Sequence, residues 1–274
     1  ADGHIVFDEV KVTLDDVEKS PLIWKITEVK GEDESVSYDE KTITATVILT
    51  DKKDGTIEAA VAYDDSTAFM NTYEAVGETP LKVFKTISGR SFQKGDSWTF
   101  TVTAEPETAP MPENTSVTTT PVQGSISTVV DFGTIRYTQA DDGNEYVYTI
   151  TETGTVEGVT NAAARTATVK VSDNGDGTLG ITNSSVTTAI LMENIYSADG
   201  EIPLTATKVI EGRNFKLGDA WTFTVTAEEG TPMPEKAEVT INPVMGNSTA
   251  VDFGKIRYTL EDAGKTYSYT ITET

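Results

Sequence analysis

"SWTFTVTAE", Ser97 to Glu105, alternates along its whole length. Trp98, Phe100 and Val102 share one parity, and Thr99, Thr101 and Thr103 share the other. Successive side chains of a strand point to opposite faces, so this period of two predicts a strand with one buried face. "EYVYTITET" (Glu145 to Thr153) and "TATVKVS" (Thr166 to Ser172) behave the same way. "DGT", at Asp54–Thr56 and again at Asp176–Thr178, lies between alternating runs, which is a hairpin signature. Abundant Thr and Val, with no long helical periodicity, give an all-β reading. Seven or so short strands in about 120 residues, with regularly spaced turns, point to an immunoglobulin-like β-sandwich.

The opening stretch also recurs. "LKVFKTISGRSFQKGDSWTFTVTAE" (Leu81 to Glu105) matches "LTATKVIEGRNFKLGDAWTFTVTAE" (Leu204 to Glu228), with an offset of 123 residues (Lys208 against Lys85). The "YTITET" that follows each copy is offset by 121 residues (Glu273 against Glu152). The difference falls between the loops "EPETAPMPEN" and "EEGTPMPEK", where length changes are tolerated. Residues 6–29 and 44–75 resemble the second half of the same unit. The order is therefore the C-terminal half of a β-sandwich repeat (1–75), a complete repeat (76–198), and the N-terminal half of a further one (199–274).

Composition narrows the partners. The 274 residues carry a formal net charge of −23. A surface this acidic repels nucleic acid and anionic membranes, and no apolar run approaches a membrane span. Cysteine is absent and His4 is the only histidine, so neither a thiolate metal site nor a Ser–His–Asp set is expected. "DNGDG" (Asp173 to Gly177) resembles part of a calcium loop, but its counterpart "DKKDG" (Asp51 to Gly55) places lysines within it, and a hairpin turn is the better reading. No metal and no cofactor are expected.

Three recurring positions are wrong for a bland core. Lys85 and Lys208 share parity with the apolar residues of the repeat's first strand. Glu28, Glu152 and Glu273 share parity with the apolar residues of the "Y-x-I-x-E" strand or its looser copy "WKITEV". Asn71 and Asn194 lie two residues before a tyrosine near the repeat's last strand, with a less clean parity. Inward charges are costly unless they pair or react. A buried Lys–Glu ion pair with an Asn hydrogen bond is one reading of this set, and a reactive trio is the other. Lys82, the rival nucleophile, is on the outward parity and aligns with Thr205, and Glu193 has Met70 as its counterpart.

"LTATKVIEGRNF", "WTFTVTAE", "YTITET" and "MENIYSA" together resemble the pilin isopeptide linkage domain of Gram-positive pilins and stalk adhesins. The resemblance covers the middle repeat and both halves. It implies a spontaneous amide bond between Lys and Asn side chains, promoted by the Glu. Carried over by residue, it would join Lys85 to Asn194 with Glu152 as promoter. It would place Lys208 with Glu273 in the last segment, and Glu28 with Asn71 in the first. Burial lowers a lysine pKa and raises that of a glutamate, so a neutral amine could attack while a protonated Glu bonds the Asn carbonyl oxygen.

The function expected from this is structural. It is a stalk or shaft of an extracellular, cell-wall-anchored adhesin or pilus, with self-modification rather than enzymatic turnover. The alternative is a host-ligand-binding adhesin module that uses the proline-containing loops. The expected partners are neighbouring repeats of the same parent chain, or other copies joined head to tail through Lys208 and Asn71. Both halves carry the Glu strand where only one is needed, which weighs against the head-to-tail reading and for a window cut from a longer array.

Overall fold

The computed structural model describes residues 3–274. It is all-β: among the described residues, helices are limited to single turns at Leu14–Val17 and Ser184–Thr187 and two 3-10 turns. Its contacts define two compact units. One comprises Ala1–Thr79, Thr134–Tyr146 and Val169–Asn183, and the other Pro80–Gly133, Val147–Thr168 and Ser184–Thr274.

The first segment holds β1 (Leu22–Thr27), β2 (Val36–Ser37), β3 (Thr42–Asp51), β4 (Ile57–Tyr63) and β5 (Thr72–Tyr73). β1, β3 and β4 form one sheet, and β2 pairs with β5. β3 buries Ile43, Ala45, Val47 and Leu49 at every second position, which is the alternation its sequence requires.

The middle segment holds β6 (Val76–Ser88), β7 (Trp98–Glu105), β8 (Ser116–Thr119), β9 (Ser127–Thr138), β10 (Glu145–Thr153), β11 (Val159–Thr160), β12 (Arg165–Asp173), β13 (Leu179–Asn183) and β14 (Leu191–Tyr196). These nine strands exceed the seven expected, because β8 and β11 are too short to show a period. They form two sheets, ordered β13-β12-β10-β7-β8 and β11-β14-β6-β9. β7 buries Trp98, Phe100 and Val102, β10 buries Tyr146, Tyr148 and Ile150, and β6 buries Leu81, Val83 and Ile87. Both "DGT" turns join hairpins, β3 to β4 and β12 to β13. Gly55 and Gly177 have φ of 88° and 82°, a conformation that glycine adopts without steric cost.

One pairing was not legible in the sequence. β14, the last strand of the repeat, runs parallel to β6, the first, with Met192 opposite Lys85. The closing segment repeats the opening of that pattern with β15 (Asp199–Val209), β16 (Trp221–Ala227), β17 (Glu238–Ile241), β18 (Ser248–Thr259) and β19 (Tyr269–Glu273). β15 pairs with β18, and β17, β16 and β19 form a second sheet. Phe223, Val225, Val251 and Phe253 form its core, with Trp221, Tyr269 and Ile271 packed against them.

Candidate cross-linking site

Three polar side chains meet inside the middle segment. The period of two turns Lys85 of β6 and Glu152 of β10 inward with their apolar neighbours, and both side chains are fully buried. Asn194 of β14 is likewise buried, on the same parity as Met192, which settles the parity that the sequence left unclear. The Lys85 Nζ lies 3.2 Å from Glu152 Oε1 and donates to Glu152 Oε2 at 3.4 Å and to the Met192 carbonyl at 3.2 Å. The Asn194 Nδ2 donates to Glu152 Oε1 at 2.7 Å. One carboxylate oxygen thus touches both the amine and the amide nitrogen. Burial pushes the Lys85 pKa below its ordinary value and outweighs the opposing attraction of Glu152.

The orientation of the amide differs from the expectation that Glu152 would bond the Asn carbonyl oxygen. The Ala162 backbone N–H donates to Asn194 Oδ1 at 2.7 Å, and only an oxygen can accept there. The carboxylate therefore faces the amide nitrogen.

Two participants escaped the sequence reading. The Lys85 Nζ sits 5.0 Å from the Trp98 ring centroid. Asn161 Oδ1 accepts from Trp98 Nε1 at 3.1 Å and from Asn194 Nδ2 at 3.2 Å, while its own Nδ2 donates to the Gly154 carbonyl at 2.6 Å. The parity of Trp98 marks it as core and does not signal the amine beside its ring. Asn161 follows a two-residue strand and has no pattern to mark it.

The other two sets are partial copies. In the closing segment Lys208 Nζ donates to Glu273 Oε1 at 2.6 Å and lies 5.1 Å from the Trp221 ring centroid. Both side chains are more open than their counterparts, at 16% and 41% exposure against 0% for Lys85 and Glu152. In the first segment Asn71 Nδ2 donates to Glu28 Oε1 at 2.6 Å, and the Asp39 N–H donates to Asn71 Oδ1 at 2.9 Å. Glu28 Oε2 is buried without a hydrogen-bond partner, and in the middle set the matching oxygen, Glu152 Oε2, takes Lys85. The rejected rivals lie elsewhere: Lys82 is exposed and pairs with Asp131 at 2.8 Å, and Glu193 is exposed. In "DNGDG" the carboxylates are taken up by protein donors, with Asp173 accepting from the Gly175 N–H, the Tyr73 hydroxyl and Gln139 Nε2, and Asp176 Oδ1 from the Thr178 N–H. Among the described residues no group of three or more His, Asp or Glu could hold a metal ion.

The model of the FctA family, described as a Spy0128-like isopeptide containing domain, matches residues 6–74, 81–197 and 204–274. The chain belongs to that family. Membership bears out the resemblance read from the motifs, and the family is one of structural proteins, not enzymes. Solved structures similar to it include two major pilins of Streptococcus pyogenes. T-13 is 18% identical with a TM-score of 0.29, over 73% of this chain and 82% of the pilin. T3.2 is 15% identical with a TM-score of 0.25, over 73% of this chain and 84% of the pilin. No curated protein matches the chain. The family is one of surface-exposed Gram-positive proteins, and among the described residues no helix is long and apolar enough to cross a membrane.

Proposed function

We propose that the FctA chain forms part of the shaft or stalk of a cell-wall-anchored pilus or adhesin, and that its middle repeat carries a covalent Lys85–Asn194 bond. Residues 76–198 are then one complete repeat, residues 1–75 the second half of another and residues 199–274 the first half of a third. The immediate partners are neighbouring repeats of one parent chain.

The observation that carries this is the shared oxygen, Glu152 Oε1, at 3.2 Å from the Lys85 amine and 2.7 Å from the Asn194 amide nitrogen. Burial favours the neutral amine, which is the nucleophilic form. The amine attacks Asn194 Cγ, the Nζ–Cγ bond forms, and the Cγ–Nδ2 bond breaks. Glu152 takes a proton from Nζ and delivers one to Nδ2, so that ammonia leaves and the carboxyl is unchanged. Folding supplies the proximity, a contribution of about 7–11 kcal/mol to the barrier in well-oriented systems.

Intact-mass spectrometry of the purified chain tests this. The expected result is a mass lower than the sequence mass by one ammonia, restored to the full value in Glu152→Ala. A folded parent chain at its full sequence mass would exclude the bond.

A further inference from the structure

We propose that the backbone N–H of Ala162 is the oxyanion donor of the bond-forming reaction. This rests on the Lys85–Asn194 bond proposed above and assigns to the main chain the polarising role that the sequence reading gave to the glutamate. When the amine adds to Asn194 Cγ, the carbonyl π pair moves onto Oδ1 and negative charge develops there. A donor must be waiting at that oxygen, in a buried setting, about 2.7–3.1 Å away. The Ala162 N–H is at 2.7 Å from Oδ1. Glu152 cannot serve this oxygen as the amide is oriented, because its Oε1 accepts from Nδ2.

The contact recurs where it could have been lost. In the first segment the Asp39 N–H meets Asn71 Oδ1 at 2.9 Å, while Glu28 again takes the amide nitrogen. The residue types at the two donors differ, Ala against Asp, so what repeats is the peptide group and not a side chain.

The local structure holds the donor in place. β11 pairs with β14 with Thr160 opposite Ile195, which carries the next residues toward Asn194. Asn161 is anchored at both ends of its amide, by the Trp98 indole and the Gly154 carbonyl. Its Oδ1 also accepts from the departing nitrogen, Asn194 Nδ2, at 3.2 Å. Consecutive residues therefore grip the reacting amide at its oxygen and at its leaving group.

The test replaces Ala162 with lactic acid, which turns the peptide N–H into an ester oxygen and leaves the methyl side chain. Synthetic parent and ester chains are folded from denaturant at a series of pH values and ammonia loss is timed by intact mass. The ester chain is expected to react about 10²-fold more slowly, with an unchanged pH midpoint. Equal rates in parent and ester overturn this inference alone, whereas a parent that never loses ammonia overturns the bond itself. A second readout covers an ester that does not fold. In Lys85→Met, which keeps the free amide, a scalar coupling across the hydrogen bond from the Ala162 nitrogen to Asn194 Cγ is expected, and its absence overturns the assignment.

Discussion

At the scale of single residues, the chemistry turns on the amine of Lys85. Its folded pKa lies below the ordinary 10.5 because burial disfavours the charge. Bond formation should therefore accelerate as pH rises and level off above the depressed pKa, short of 10.5. A rate that is flat with pH would contradict the neutral-amine mechanism. The same shift acts on stability once the bond is blocked. Between its folded and unfolded pKa, the folded chain binds fewer protons at Lys85 than the unfolded one. Stability of Asn194→Ala should thus climb with pH through that window and be lowest beneath it, as denaturant titrations at several pH values would show. The Lys and Glu of the site were legible because a period of two assigns a face to each residue of a long strand. Asn194 sits in a six-residue strand where the period is short, and Ala162 acts through its backbone, which no residue type can signal.

At the scale of elements, the turn after β6 gives a paired comparison. Gly89 and Gly212 occupy equivalent positions, both with φ of 82°. A Cβ on Gly89 would clash with the Tyr196 carbonyl oxygen, whereas one on Gly212 would meet nothing within 4 Å. Gly212→Ala should cost only the left-handed penalty of about 1–2 kcal/mol. Gly89→Ala should cost clearly more, since the backbone it meets cannot step aside, and equal losses in thermal melts would refute the distinction. Hairpins were legible here because "DGT" encodes its own turn. The parallel pairing of β14 with β6 was not, because alternation tells which face is buried and is silent about the neighbour.

At the scale of the whole molecule, the acidic surface and the proposed covalent loop both make measurable demands. A net charge of −23 repels itself in the compact state, so moderate salt should raise the melting temperature. Joining residues 85 and 194 removes unfolded-chain entropy worth about 4–5 kcal/mol by the loop-closure model, and Lys85→Met should lose stability of that order in denaturant titration. A denaturing gel should show a single band. A ladder, lost in Asn71→Ala and in Lys208→Ala, would instead show copies joined through their partial sites. The proposed repeat order comes from comparing the chain with itself, and no inference about packing enters that step.

The parallel run of β6 and β14 sets how the repeat responds when its two ends are pulled apart. Strands that enter and leave in the same direction are loaded in shear, so their ladder bonds resist together and do not peel one at a time. Without a covalent tie, the stretch from 85 to 194 could pay out about 370 Å of contour length at ~3.4 Å per residue. With it, that length is withheld, and single-molecule extension traces should lack the corresponding step. Such a repeat transmits a pull without lengthening, so an array of them would dissipate no work by unfolding between 85 and 194.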